Sequence, residues 1–170
     1  MKVFKYLLFF SLFVSSLANA DVFLELSPAQ INIDTPSLTS RPFVADIRLG
    51  YAEYNQQFEL AFMSHIKDDN ENSLSIEVPA VFSFFYHYLP NPQTSLKYHL
   101  IIGASYIEVD TSYPQVSNSS DNFYGVSYGI GFEESFKSAP QVKLSFDVIQ
   151  LYRGDQLNIN AVSLGVHYEF

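Results

Sequence analysis

Apolar and polar residues alternate along most of the chain beyond residue 20. Side chains two positions apart lie on the same face of a β-strand, so this alternation predicts strands with one apolar and one polar face. Eight segments show the pattern: residues 21–27, 42–54, 57–67, 73–88, 95–109, 122–136, 141–153 and 161–170. The sequence therefore predicts an all-β fold of eight strands.

The two faces differ in side-chain size as well as in polarity. One face carries large residues such as Phe62, Phe82 and Ile102, and in segment 73–88 it is predicted to include Ile76 and Val78. The opposite face mixes charged residues with glycine, alanine and serine, which suit a narrow interior better than open solvent. An eight-stranded antiparallel transmembrane β-barrel, an up-and-down meander, places the large residues against lipid and the mixed face in the lumen. The alternative is a soluble β-barrel or sandwich with the apolar face inside.

Short and long connections alternate between the predicted strands, as in barrels with tight turns at one rim and longer loops at the other. The short ones are residues 54–56, 89–93 and 137–140, and the longer ones are 28–41, 67–72 and 110–121, with a compact connection at 154–156. An even strand count puts both chain ends and the short turns at the periplasmic rim. Aromatic girdles are then expected at the two membrane interfaces: Tyr86, Tyr88, Tyr98, Phe136, Tyr168 and Phe170 at the inner one, and Tyr106, Tyr124 and Tyr152 at the outer one.

Residues 1–20 have the pattern of a secretory signal peptide: a basic start, an apolar core and an Ala18-Asn19-Ala20 cleavage site. An uncleaved anchor is the alternative, but the apolar core is short for a membrane-spanning helix. The predicted mature domain is residues 21–170, and loss of Lys2 and Lys5 moves its formal charge from −9 to −11. This acidic balance argues against nucleic acid as a partner, and the lack of cysteine means that disulfides do not stabilise the exported domain.

The inward face is predicted to carry a network of paired charges. An eight-stranded barrel has an interior that side chains fill, and buried charges must be paired, so we expect a plugged lumen. The predicted network comprises Glu25, Arg48, Glu77, Lys97, His99, Glu133, Lys143 and Asp147. Extrapolation from the turns and loops places Glu133 beside both Lys143 and His99. It also places Lys143 near Glu169 and His167 near Glu25.

Several motifs are considered for chemistry, and none predicts a catalytic, cofactor or metal site. Ser163, His167 and Glu169 share a face, but four residues along a strand span about 13 Å, too far for a Ser–His contact. The remaining histidines lie on different strands without metal-ligand spacing, and the glycines of residues 125–131 alternate along a strand with no following helix to bind phosphate. Arg153-Gly154-Asp155 is an integrin-type tripeptide at an outward tip, a possible surface contact, although Gly-Asp is also an ordinary hairpin turn.

The final stretch, Val162 to Phe170, alternates without a break and ends on an aromatic residue. Together with the glycine-spaced strand and short turn before it, residues 123–170 resemble the OmpA/OmpX-like small outer-membrane β-barrels, the outer membrane protein β-barrel domain family. The resemblance implies that Phe170 is part of the signal recognised by the barrel-assembly machinery. It also implies an outer-membrane protein of a Gram-negative-type cell, in contact with outer-membrane lipids and lipopolysaccharide and expected to be a monomer.

By the same resemblance, the expected role is structural or surface-interacting, in envelope integrity or adhesion, and not enzymatic. A small porin-like channel is the competing function, and a lipid-modifying outer-membrane enzyme is a third.

Overall fold

The computed structural model describes residues 21–71, 74–112 and 118–170, and these form eleven strands. The strands are β1 (Asp21–Asp34), β2 (Thr39–Ser40), β3 (Phe43–Glu53), β4 (Gln56–Lys67), β5 (Asp69–Glu71), β6 (Leu74–Glu77), β7 (Ala80–Tyr88), β8 (Leu96–Ser112), β9 (Ser119–Phe136), β10 (Ala139–Arg153) and β11 (Asn158–Glu169). Among the described residues, no helix is long and apolar enough to cross a lipid bilayer.

Eight of these strands form a closed barrel. Each of β1, β3, β4, β7, β8, β9, β10 and β11 pairs antiparallel with the next, and β1 pairs antiparallel with β11 to close the sheet. The closing seam continues to the end of the chain, where the Phe170 amide donates a hydrogen bond to the Val22 carbonyl at 2.9 Å. The predicted eight-stranded antiparallel up-and-down barrel is confirmed.

The two ends of the barrel differ. The first strand begins and the last strand ends at one rim, together with the short β3–β4, β7–β8 and β9–β10 connections, and we call this end the turn rim. The opposite end, the loop rim, carries the longer connections and the small β5–β6 hairpin, which pairs with the outer part of β8.

In the half of the barrel nearer the turn rim, the large apolar side chains point outward. Leu60 is 64 % exposed, and Phe62, Phe82 and Ile102 are also exposed. The alternate positions, among them Glu59 and Ser83, are buried in the lumen. The predicted direction of the two faces is thus confirmed for this half, and the soluble alternative with an apolar interior does not describe it.

Near the loop rim the distribution reverses. The lumen there is filled by a hydrophobic cluster that includes Ile31, Val44, Met63, Val81, Ile107, Ile149, Leu151 and Ile159. The outward positions beside them are polar, for example Gln30 and Asn32 on β1 and Asn160 on β11. On β1 and β11, this half of the barrel therefore combines an apolar core with a polar outer face, whereas Phe43, Ile66 and Tyr124 are exposed on other strands near the loop rim.

The reversal accounts for one wrong prediction. Residues 28–41 were expected to form a loop, but β1 continues through Pro28 to Asp34 and pairs with the two-residue strand β2. Proline has no N–H to donate, and the β1–β11 pairing is interrupted at Ser27 and Pro28 while the β1–β3 pairing continues across them.

A second correction concerns segment 73–88, which was predicted to be one strand with one outward row. The strand is broken at Val78 and Pro79 into β6 and β7, and the two parts present opposite parities to the interior. Ile76 and Val78 are consequently buried in the core, although Phe82 faces outward as predicted.

Tyr152 is also placed differently from its predicted position in the outer girdle. The β10–β11 register shifts between Gln150 and Tyr152, and the Tyr152 ring packs against Phe123 with centroids 5.3 Å apart beside the apolar core. Tyr106 and Tyr124 do pair, at 4.9 Å between ring centroids.

Candidate functional site

A layer of charged side chains fills the lumen in the half nearer the turn rim. Strict alternation brings one or two inward polar residues from every barrel strand to this level. The buried members are Glu25 from β1, Asp46 and Arg48 from β3, Gln57 and Glu59 from β4, His87 from β7, His99 from β8, Glu133 from β9, Lys143 and Asp147 from β10, and Ser163 and His167 from β11. We call this set the ionic layer.

Arg48 lies at the centre of the ionic layer and is fully buried. Its Nε donates to Asp46 Oδ2 at 2.8 Å, and its Nη2 donates to Ser163 Oγ at 3.1 Å. Its Nη1 contacts Asp147 directly and lies 3.5 Å from Glu59 Oε2 and 3.8 Å from Glu25 Oε1. The guanidinium carbon is also 5.9 Å from the centre of the Phe85 ring, so one cation links four carboxylates across the width of the barrel.

Three histidines of the ionic layer each lie beside a carboxylate. His99 Nε2 is 2.9 Å from Asp147 Oδ1, and His87 Nε2 is 3.3 Å from Glu59 Oε2. His167 Nδ1 is 3.6 Å from Glu25 Oε2.

The histidine rings are also held by aromatic packing. The His87 and His99 rings meet edge to face at 4.7 Å, and His167 stacks on Phe23 at 4.1 Å.

Lys143 organises the part of the layer next to the turn rim. Its ammonium group is 2.6 Å from Glu133 Oε1 and contacts Glu169, while Gln57 Nε2 donates to Glu133 Oε2 at 3.3 Å. Glu133, His167 and Glu169 present ligand-type atoms within 4.8 Å of one another. The Lys143 ammonium contacts both carboxylates of this trio, so a side chain already supplies the cation there.

Glycine at position 131 makes room for the His99–Asp147 contact. A methyl group on Gly131 would collide with the His99 ring and with the Asp147 carboxylate. Gly131 therefore leaves lumen space for two charged neighbours. The glycines of β9 do not form a phosphate loop, since they lie within a single strand.

Six of the eight predicted network residues lie in the ionic layer: Glu25, Arg48, His99, Glu133, Lys143 and Asp147. Glu77 does not, because it lies at the loop rim with its side chain 42 % exposed and 3.6 Å from His65. Lys97 is half-buried opposite Glu133 in the β8–β9 register.

The partners differ in part from the predicted ones. Lys143 contacts both Glu133 and Glu169, and His167 approaches Glu25. His99, in contrast, lies opposite Gly131 and binds Asp147 instead of Glu133.

Six members of the ionic layer are not among the eight residues of the predicted network: Asp46, Gln57, Glu59, His87, Ser163 and His167. All six occupy inward positions of the alternation, so parity alone would have included them.

Comparison with known proteins gives a match at the level of structure only. No protein-family model matches the sequence, and no curated protein sequence is significantly similar to it. Neisserial surface protein A (NspA) has a TM-score of 0.67 at 14 % identity, covering 88 % of this chain and 97 % of that one. The attachment invasion locus protein Ail of Yersinia pestis, in complex with the heparin analogue sucrose octasulfate, has a TM-score of 0.66 at 14 % identity over 89 % of this chain and 99 % of Ail.

The outer membrane protein OprG of Pseudomonas aeruginosa also matches, with a TM-score of 0.63 at 11 % identity over 89 % of this chain and 96 % of OprG. The fold is that of the small OmpA/OmpX-like outer-membrane barrels. Within this barrel fold, the ionic layer spans the lumen and the apolar cluster lies between it and the loop rim.

The other motifs have structural partners in the barrel. Ser163 accepts its hydrogen bond from Arg48, and His167 contacts the carboxylates of Glu25 and Glu169. In the tripeptide at 153–155, Arg153 and Asp155 are exposed at the β10–β11 turn, and the Gly154 amide donates to the Leu157 carbonyl at 2.8 Å. The tripeptide is therefore part of a hydrogen-bonded hairpin turn at the loop rim.

Proposed function

We propose that this protein is an integral outer-membrane barrel with a plugged lumen and a structural or surface-contact role, not an enzyme. The single observation that carries the proposal is the reversal of the two faces along the barrel. An outward band of Leu, Ile, Phe and Tyr near the turn rim suits acyl chains, whereas the polar outward positions of β1 and β11 near the loop rim suit water. The turn rim is then periplasmic and the loop rim extracellular.

The filling of the lumen supports a plug over a pore. Going from the turn rim toward the loop rim, a solute would first meet the ionic layer, where Arg48 and its carboxylate partners are buried. It would then meet the apolar cluster, in which Ile31, Val44 and Ile107 have no exposed surface. An ion would have to break buried ion pairs and then enter a dry apolar region, and both steps are costly.

The loop rim is the proposed contact surface. Its charged residues are mostly acidic: Asp34, Asp68, Asp69, Glu77, Asp110, Asp121 and Asp155, against Arg41, Lys67 and Arg153. The Ser75 hydroxyl donates to Asp68 Oδ2 at 2.9 Å and lowers the pKa of Asp68 below its usual value, so this carboxylate stays charged. A partner of this rim is expected to be cationic, or to be lipopolysaccharide phosphate bridged through divalent cations. That chemistry differs from the sulfated ligand of the Ail complex.

Export and assembly complete the proposal. Residues 1–20 act as a signal peptide whose removal leaves Asp21 as the first residue, and the terminal strand ending at Phe170 is recognised by the barrel-assembly machinery. The barrel contacts outer-membrane lipids and lipopolysaccharide and is a monomer. Mass spectrometry of protein purified from the outer-membrane fraction should give the mass of residues 21–170.

Planar-bilayer recording of the refolded mature chain tests the plug. We expect no steady conductance from the wild-type protein, and a shift in gel mobility on boiling of the same sample shows that the barrel is folded. Steady single-channel steps from folded wild-type protein would refute the plugged lumen and favour the porin-like channel. Absence of the heat-modifiable band from the outer-membrane fraction would refute the location.

A further inference from the structure

The ionic layer has more buried acids than permanent buried cations. In the part of the chain that the structure describes, five carboxylates of this layer are at least 98 % buried, and the lysine and arginine side chains buried with them are Arg48 and Lys143. The acids are Glu25, Asp46, Glu59, Glu133 and Asp147. At the turn rim, the partly exposed Glu169 and the half-buried Lys97 offset each other. The buried layer therefore lacks three positive charges.

Three histidines are buried in the same layer, which matches the number of missing charges. His87 is 0 %, His99 3 % and His167 1 % exposed, and each has a carboxylate oxygen within 3.6 Å. With all three imidazoles protonated, the five buried carboxylates face five buried cations. With all three neutral, three buried carboxylates have no counter-charge, which is a costly arrangement in a low-dielectric interior.

The neighbours of each ring come from several strands. His87 faces Glu59 of β4 and the His99 ring of β8. His99 faces Asp147 and His87, with Glu59 and Glu133 also near enough to act on its charge.

His167 faces Glu25 of β1, Glu169 of its own strand and Glu133 of β9, together with the Lys143 ammonium of β10. Three acids and one ammonium surround His167, whereas the acids beside His87 and His99 are shared with Arg48.

His87 is completely buried, and neither of its ring nitrogens has a hydrogen-bond partner among the described residues. Hydrogen bonding therefore does not distinguish the neutral ring from the imidazolium. The Glu59 carboxylate oxygen 3.3 Å from Nε2 favours the positive charge.

We propose that the ionic layer is a proton-binding site in which His87, His99 and His167 supply the missing positive charges, so that bound protons hold the lumen closed. The apolar cluster separates the layer from the loop rim, and Glu169 is partly exposed at the turn rim, so protons exchange through the turn rim. The inference goes beyond the proposed function, because it concerns what the lumen binds and not where the barrel is located. Proton loss on the alkaline side leaves unpaired negative charge in the layer and weakens the barrel.

The unfolding temperature of the refolded mature chain, measured from pH 6 to pH 9.5, tests the proposal. In this interval carboxylates outside the ionic layer, with an ordinary pKa of about 4, remain charged, and histidine has an ordinary pKa of about 6.5. We expect the unfolding temperature to decrease by about 5 °C or more as the pH rises. A flat or rising profile overturns the proposal.

Matched variants separate the lumen histidines from the other histidine. His99→Gln keeps a hydrogen-bond donor for Asp147 but cannot become charged, so its unfolding temperature should depend less on pH than that of the wild type. His65→Gln changes a histidine that also lies beside two carboxylates, Asp68 and Glu77, but at the loop rim with its side chain 27 % exposed. That variant should keep the wild-type pH profile, and an equal loss of pH dependence in both variants contradicts the proposal.

A measurement on the wild-type chain keeps the test independent of variant folding. Nitrogen chemical shifts of ¹⁵N-histidine-labelled protein should report three imidazolium rings at pH 7, and neutral rings at His87 and His99 overturn the proposal. Zinc ions provide a further arm. If zinc raises the unfolding temperature at pH 8.5 and a chelator reverses the rise, a metal and not protons supplies the missing charge.

Discussion

Arg48 offers the sharpest test of the ionic layer, because a single side chain holds four carboxylates. Replacing it with methionine keeps most of the side-chain volume and removes the guanidinium. Asp46 and Asp147 then lose their direct hydrogen-bonded cation, and Ser163 loses its donor. The bulk of the lumen filling stays in place, so the loss is mainly electrostatic.

The expected magnitude follows from the burial of the group. Removing one partner of a buried ion pair costs about 3–5 kcal/mol, since the remaining charge is left uncompensated. Arg48 is fully buried, so solvent does not screen the loss. For a chain of this size, each kcal/mol moves the unfolding temperature by about 2–4 °C. We therefore expect Arg48→Met to lower it by about 10 °C.

The assay is the loss of the fast-migrating folded band on gels of samples heated stepwise before loading. Arg41→Met is the matched control, because Arg41 is an exposed arginine at the loop rim and the contact there is made by its backbone amide to Asp69. The control should unfold within about 2 °C of the wild type, as surface substitutions usually do. Equal shifts for the two variants would refute the assignment of Arg48 as the centre of a buried charge network.

Three further predictions test other parts of the barrel. Thermal unfolding should show that Lys143→Ala lowers the free energy of unfolding by about 3 kcal/mol. Lys137→Ala, in an exposed turn, should change that free energy by less than about 0.5 kcal/mol. Similar losses would contradict the Lys143 contacts. In lipid vesicles, Leu60→Arg should lower the free energy of unfolding by about 2–4 kcal/mol if the outward band lies in the membrane. Asn32→Arg, which is outward near the loop rim, should lower it little. Denaturant titrations that show equal losses would count against the band. Phe170→Ala keeps the backbone hydrogen bond to β1, so the unfolding temperature of the purified barrel should not change. If the aromatic side chain is part of the assembly signal, the yield of folded protein in the outer membrane should decrease. An unchanged yield would exclude an assembly role.

The strand pattern and the direction of the faces could be predicted because alternation is a local property. Phe62 and Phe82 face outward, as their parity required. The continuation of β1 past Pro28 was missed because proline and the polar residues after it are typical of loops. In the barrel, β3 pairs with β1 across Pro28, and Ile31 and Ile33 complete an apolar core that only the assembled fold creates.

The composition of the ionic layer could be predicted better than its contacts. Inward parity identifies a residue such as Arg48 or Asp147 as a lumen residue. Their contact joins β3 to β10, which are not neighbours in the sheet, so no hairpin register predicts it. The His99 pairing failed for a related reason: Gly131 lies opposite His99 and has no side chain, so the ring reaches past it to Asp147 on the next strand.

The part of the barrel near the loop rim is built around an interior of aliphatic side chains. The polar residues on the outside of β1 and β11 there do not contribute to this core. Residues such as Gln30, Asn32 and Asn160 lie on paired strands with rigid geometry, yet they point away from the core. Outward side chains of this kind can be substituted, for example to graft an epitope, while the strands that carry them keep their geometry. Substitutions near the loop rim should therefore be tolerated on strand surfaces such as these as well as at the tips of the loops.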